Sequence, residues 1–129
     1  STSNFTVQAE GQSIHVHKAI LKNCCQYFKN KFEHDWIDND QNILYTVPDK
    51  FSYIVYKAFL KYLYTGTVDL PSEKALDLMQ LADEYYETNL KRECDQIIRK
   101  AITASNVAFF YNKAIECNAK VSQFTVDRY

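Results

Sequence analysis

Between Ile14 and Leu21 the hydrophobic period of this chain changes. Ile14 and Val16 alternate with His15 and His17, the two-residue pattern of a half-buried strand. From Lys18 the apolar set becomes Ala19, Ile20, Leu21, Cys24, Cys25, Phe28 and Phe32, spaced for one face of a helix. A strand therefore turns into a helix with almost no loop. Such a helix has to fold back onto the sheet that the strand belongs to, so this junction governs how the rest packs.

The remainder of the chain reads as strands first and helices after. Phe5 to Ala9 alternates as a strand, and Glu10-Gly11-Gln12 turns it into a second strand, Ser13 to His17, making a hairpin. The junction helix is predicted to run unbroken from about Lys18 to Phe32, with Lys18, Lys22 and Lys29 on its solvated face. Ile43 to Val47 reads as a short apolar strand closed by Pro48, buried on both sides because it lacks strict alternation. Ser52 is placed to cap a helix reaching Tyr64, with Val55, Phe59 and Leu63 inward and Gly66 ending it. Pro71-Ser72-Glu73 opens the next, with Ser72 as cap and Leu76, Met79, Ala82 and Tyr86 inward. A further helix runs from about Asn89 to Lys100 through Leu90, Cys94, Ile97 and Ile98. The last begins near Thr103 or Ser105 and continues through Val107, Phe110, Ala114 and Ile115. Beyond Asn118, Phe124, Val126 and Tyr129 are read as the start of one more helix. This is an α+β pattern, a small, mostly antiparallel sheet packed on about five helices.

Composition narrows the function classes. With 129 residues, 47% of them hydrophobic and only two Gly and two Pro, the chain has the makings of one domain with a real core. A net charge of -1 and the lack of a basic block argue against nucleic acid as a partner. No apolar run approaches the roughly 20 residues that span a bilayer, and Ser1 to Asn4 does not read as a leader. The expected setting is soluble and intracellular, in the cytoplasm, the nucleus or both. Cys24, Cys25, Cys94 and Cys117 show no CxxC spacing and read as reduced, buried thiols.

Nothing in the residues points to catalysis. His15 and His17 share a strand face but lack third and fourth zinc ligands. His17 reads better as a structural hydrogen-bonding group. A nucleophilic pair of Cys24 or Cys25 with His34 would need an exposed electropositive thiol, whereas both cysteines fall in an apolar stripe. Two glycines cannot build a phosphate cradle. No catalytic residue, metal, cofactor or small-molecule substrate is expected. What the sequence offers instead is surface. Trp36 lies among Glu33, Asp35, Asp38 and Asp40, in a stretch too acidic for a core; from the residues alone it reads either as a protein-contact anchor or as a side chain folded back onto its own domain. Phe109, Phe110 and Tyr111 are consecutive on a helix, so at least one must look away from the core.

Three stretches in order, His15-Val16-His17-Lys18-Ala19-Ile20-Leu21, Phe59-Leu60-Lys61-Tyr62-Leu63-Tyr64-Thr65-Gly66-Thr67-Val68, and Leu81-Ala82-Asp83-Glu84-Tyr85 to Cys94, resemble a BTB/POZ domain. The likeness runs from about Asn4 to Asn118. Phe51-Ser52-Tyr53 to Leu60 and Thr67 to Pro71 are most similar to BTB domains of proteins that also carry RCC1-type repeats. The resemblance implies a BTB core over 4–101 and, over 102–129, the start of a C-terminal helical extension. It implies protein-protein contact and, as in many members, a substrate-adaptor role for a cullin-3 ubiquitin ligase. Such adaptors meet the cullin with a hydrophobic-x-Glu motif after the first long helix, where this chain has Trp36-Ile37-Asp38. Asp38 keeps the charge of that Glu but is one methylene shorter. Phe109 and Phe110 fall where the extension enlarges the interface. The alternative is a self-assembly or corepressor-type scaffold that does not bind cullin; a redox or metal enzyme is the remaining class. For dimerisation, Asn4 stands where dimeric members carry a buried Asp, while the basic partner position is kept as Lys18. A buried lysine lacking its carboxylate would be costly, so Lys18 is expected at the surface and any homodimer weaker or differently built.

Overall fold

The structure of the chain, a computed structural model, describes residues 4–34 and 43–117. Its contacts divide it into two compact units, Ser1–Thr67 and Val68–Tyr129.

The first unit is organised on β1, Phe5–Ala9, whose Phe5, Val7 and Ala9 are buried while Thr6 and Gln8 are half-buried. It is central because both of its edges are paired. β2, Gln12–Val16, runs antiparallel to it, and β3, Ile43–Thr46, runs parallel to it, giving a mixed sheet in the order β2-β1-β3. The hairpin closes through two residues, Glu10 and Gly11, at φ 51° and 76°. Both in the left-handed region, they make the tight turn whose twist matches the strands it joins.

The junction forms as the period change predicts, but the helix is broken. α1 spans Lys18–Cys24 and α2 spans Gln26–His34, with Cys25 extended between them at φ -143° and ψ 117°. Cys25 serves both helices, its N–H donating to the Leu21 carbonyl and its carbonyl accepting from Lys29, each at 3.0 Å. The buried residues Lys18, Leu21, Cys25, Phe28 and Phe32 keep a three-four spacing straight across the break, which is why periodicity alone does not reveal it. α3, Tyr53–Thr65, closes the unit. The Ser52 hydroxyl accepts the Val55 N–H at 3.3 Å, and Gly66 ends the helix at φ 78°, as the sequence predicts. Phe5, Phe28, Phe32, Tyr56 and Phe59 form an aromatic core, with Phe5 and Phe32 edge to face at 5.2 Å and Tyr56 and Phe59 at 5.5 Å.

β3 corrects the expectation of burial on both sides. Leu44 is 61% exposed and Thr46 is exposed, so among the described residues one face of this strand, which pairs with β1 at the end of the sheet, is left uncovered.

In the second unit a 3-10 turn at Ser72–Lys74 leads into α4, Ala75–Glu84, then α5, Thr88–Ala101, and α6, Val107–Cys117. Ser72 does not cap: its hydroxyl donates to the Glu73 carboxylate at 3.1 Å, and the turn closes through Lys74 N–H to the Pro71 carbonyl. Leu76, Met79 and Ala82 face inward as expected, but Tyr86 does not. α4 stops two residues earlier, so Tyr85 takes the buried place and Tyr86 is 74% exposed. α5 buries Leu90, Cys94 and Ile98 against α4. Between α5 and α6, Asn106 braces the turn, accepting the Thr103 N–H at 2.6 Å and donating to the Ala101 carbonyl at 2.9 Å. No helix among the described residues is long and apolar enough to cross a membrane.

Candidate interaction surface

Two of the residues expected to carry contact, Trp36 and Asp38, lie outside the described residues, as do the rest of the acidic stretch from Asp35 and the tail after Cys117. The elements on either side of that stretch are clear. α2 ends at His34 and β3 begins at Ile43.

Asn4 and Lys18 are brought together. The strand-to-helix junction leaves the first turn of α1 without a cap of its own, since His17 makes no side-chain bond there. Asn4 supplies it from across the hairpin, its side-chain oxygen accepting the Lys18 backbone N–H at 2.9 Å. The Lys18 side chain is not at the surface: only 4% of the residue is exposed. It heads the same stripe as Leu21 and Phe28, and the junction turns that stripe inward. The weak homodimer inferred from an exposed Lys18 therefore loses that support.

The consecutive aromatics of α6 divide as helical geometry requires. Phe110 is 2% exposed and Phe109 is 43% exposed, with Tyr111 and Ile115 also open. Phe110 belongs to the core where α6 packs on α4, a contact that Lys113 and Asp77 reinforce at 3.7 Å. Of the two candidates for the extended interface only Phe109 remains at the surface.

The groups weighed for chemistry occupy inert or structural places. The Tyr64 hydroxyl accepts the His17 backbone N–H at 2.8 Å and lies 2.8 Å from its Nδ1, so His17 holds the junction to the end of α3. His15 Nδ1 lies 3.2 Å from the Thr6 hydroxyl across the hairpin. Cys25 and Cys94 are buried, but Cys24 is exposed, because the break at Cys25 turns it outward from the stripe in which it was expected. Burial pushes the Cys94 thiol from 9.0 up to about 12, and the neighbouring Glu93 and Asp95 add to it. A thiol so held is protonated and a poor nucleophile. Among the described residues no three His, Cys, Asp or Glu side chains converge as metal ligands.

Several features lay beyond sequence reasoning. The Glu10 carboxylate accepts the Tyr53 N–H at 2.6 Å and so caps α3 from the hairpin tip. Gly11 signals the turn, but nothing local tells which helix it will meet. Tyr64 is likewise 47 residues from its partner.

The sequence model of the BTB/POZ domain family matches residues 1–102. The chain belongs to the BTB/POZ domain family. As a BTB domain it is a protein-protein interaction module. Among its relatives, the ARM repeat protein interacting with ABF2 of Arabidopsis thaliana is 28% identical over 109 residues, covering 84% of this chain and 15% of that protein. Kelch repeat and BTB domain-containing protein 4 of Homo sapiens is 23% identical over 104 residues, covering 81% of this chain and 19% of its own length. This BTB domain thus spans less than a fifth of either relative, and their names carry armadillo-type and kelch repeats where the sequence resembled RCC1-repeat proteins. The BTB domain of human gigaxonin superposes with a TM-score of 0.58 at 24% identity, covering 73% of this chain and 75% of that one. The BTB domain of zebrafish PATZ1 gives 0.61 at 20%, covering 77% of each. Both share the fold.

Proposed function

We propose that this BTB domain is the cullin-3-binding module of a substrate adaptor. The observation that carries the reading is positional. α2 ends at His34, and Trp36-Ile37-Asp38 follows at once, where cullin-3 adaptors carry their hydrophobic-x-Glu motif. An indole among carboxylates is suited to fill an apolar pocket with a polar rim. Asp38 supplies the charge in place of Glu. α6 adds the exposed Phe109 beside the family core, consistent with residues 102–129 beginning a helical extension that enlarges the contact. The substrate falls to a separate repeat domain, whether of RCC1, kelch or armadillo type, and the work is done in the cytoplasm or nucleus.

The reading is tested by size-exclusion co-elution of the domain with the cullin-3 N-terminal region, for wild type and Asp38→Glu. Wild type is expected to co-elute and Asp38→Glu to do so at lower concentration, because the longer side chain restores the family's reach. If neither co-elutes at concentrations adequate for micromolar binding, the domain is an assembly or corepressor-type scaffold instead.

A further inference from the structure

Tyr85 and Tyr86 each follow a buried row of α4. Tyr85 comes seven residues after Leu78 and four after Leu81, Tyr86 seven after Met79 and four after Ala82, and all four of those side chains are fully buried. Helical spacing therefore sends both tyrosines inward. Only Tyr85 goes there, at 2% exposed, while Tyr86 is 74% exposed. The second row is broken at its backbone. The Tyr86 N–H donates to the Asp83 carbonyl at 3.3 Å and the Glu87 N–H to the Ala82 carbonyl at 2.8 Å. These are the paired bonds of a left-handed helix end, and Tyr86 is its left-handed residue at φ 61°. Such a position favours Gly or Asn, and at the end of α3 it is filled by Gly66. The other non-glycine at positive φ among the described residues, Glu10, belongs to a two-residue hairpin turn that calls for it.

The start of the next helix is no better made. Glu87 precedes α5 with no side-chain bond to its first turn, whereas Ser52 caps α3. Three residues after Tyr86 stands Asn89, a type that does suit a left-handed end. The corner between α4 and α5 thus combines a strained residue, an uncapped helix and a better place to turn just beyond. A local choice at odds with the packing pattern around it is a reason to look for a second state.

We infer that this corner is a two-position switch. In the short form, the one described, α4 ends at Glu84, Tyr86 is left-handed and outside, and Lys91 bridges to Asp83 at 2.6 Å. In the long form α4 continues through Thr88 and turns left-handed at Asn89. Tyr86 then completes the row of Met79 and Ala82, and Leu90, buried at the start of α5 in the short form, gives up its place. One apolar side chain enters the core as another leaves, so the two forms stay close in buried area. The switch controls whether Tyr86 is presented to solvent, and a contact that takes the tyrosine draws the population to the short form. It requires neither Trp36 nor a cullin.

NMR relaxation dispersion and saturation-transfer exchange on the full chain test it, for wild type, Tyr86→Gly and Asn89→Gly. Wild-type amides from Tyr85 to Lys91 are expected to share one exchange process in the microsecond-to-millisecond range, with helical Cα shifts for Tyr86, Glu87 and Thr88 in the minor form. Tyr86→Gly relieves the left-handed position and deletes the side chain that fills the core in the long form. The minor population should fall at least tenfold, a factor equal to about 1.4 kcal/mol, which lies within the cost of one left-handed L-residue. Asn89→Gly eases the second turn and weakens the start of α5, so the minor population should rise. No exchange at the corner of wild type, exchange that Tyr86→Gly does not reduce, a minor population that Asn89→Gly does not raise, or a minor form without helical shifts at Tyr86 to Thr88 overturns the inference.

Discussion

The side-chain oxygen of Asn4 accepts the backbone N–H of Lys18 at 2.9 Å, while the Lys18 side chain is buried. The bond joins the entrance of β1 to the first turn of α1, across the hairpin. The junction that organises the first unit is thus closed by a residue 14 positions upstream, in the role usually taken by a local cap.

Asn4→Ala removes that acceptor and is expected to cost about 1 kcal/mol, within the 0.5–2 kcal/mol of a lost helix cap. Asn4→Asp keeps an acceptor and should recover most of the loss. Urea denaturation of the three proteins checks this. Equal midpoints for Asn4→Ala and wild type would show that water replaces the bond at no cost.

Tyr64→Phe deletes the hydroxyl that accepts the His17 N–H and meets its Nδ1. The net loss for such a bond is about 1 kcal/mol. Hydrogen exchange is the sharper probe: the His17 amide should exchange faster in the variant while the amides of the α3 interior keep their protection. Unchanged His17 exchange contradicts the assignment.

Neighbouring phenylalanines on α6 should behave oppositely. Phe110→Ala empties a buried site and is expected to cost about 3–5 kcal/mol, whereas Phe109→Ala, at an exposed position, should stay within about 0.5 kcal/mol. Thermal melts of both variants decide it. Equal losses would mean that α6 is rotated from the face described.

Cys94 makes stability depend on alkaline pH. Its thiol stays protonated to about 12 when folded, against 9.0 for the ordinary group. Between those values the folded chain holds a proton that the unfolded chain has lost, so stability falls as pH rises through the window. Below about pH 9 the contribution is fully present. The slope from this residue is at most about 1.4 kcal/mol per pH unit. Urea midpoints at about pH 8 and about pH 10.5 should fall less in Cys94→Ala than in wild type; equal declines contradict the account.

Much of the fold is legible in the chain because local chemistry and burial agree there. The alternation of Phe5 to Ala9, the cap at Ser52, the stop at Gly66 and the inward Leu90, Cys94 and Ile98 are all read from neighbours in sequence. What escapes is of two kinds. Some features break a pattern without disturbing it. Cys25 interrupts the first helix while the three-four spacing of Leu21, Cys25, Phe28 and Phe32 runs on, and Tyr86 sits at a helix end that its neighbours signal no more than they signal Tyr85. Others depend on distant partners, as with Glu10 and Tyr53, or Tyr64 and His17. Lys18 combines the two, since its charge argues for solvent while its register with Leu21 and Phe28 places it inside. Of the candidate contact residues, Phe109 and Phe110 could be separated only by the rotation of α6 about its axis, which three consecutive aromatics leave undetermined.

The central claim is that this BTB domain meets cullin-3 through the tryptophan that follows α2. Calorimetric titration of the domain with the cullin-3 N-terminal region, for wild type and Trp36→Ala, tests it most directly. Wild type is expected to bind, and Trp36→Ala to lose more than the roughly 2 kcal/mol that marks a hot spot, with its thermal unfolding unchanged. Wild-type binding that survives Trp36→Ala at full strength, or no heat from wild type at concentrations adequate for micromolar affinity, contradicts the claim.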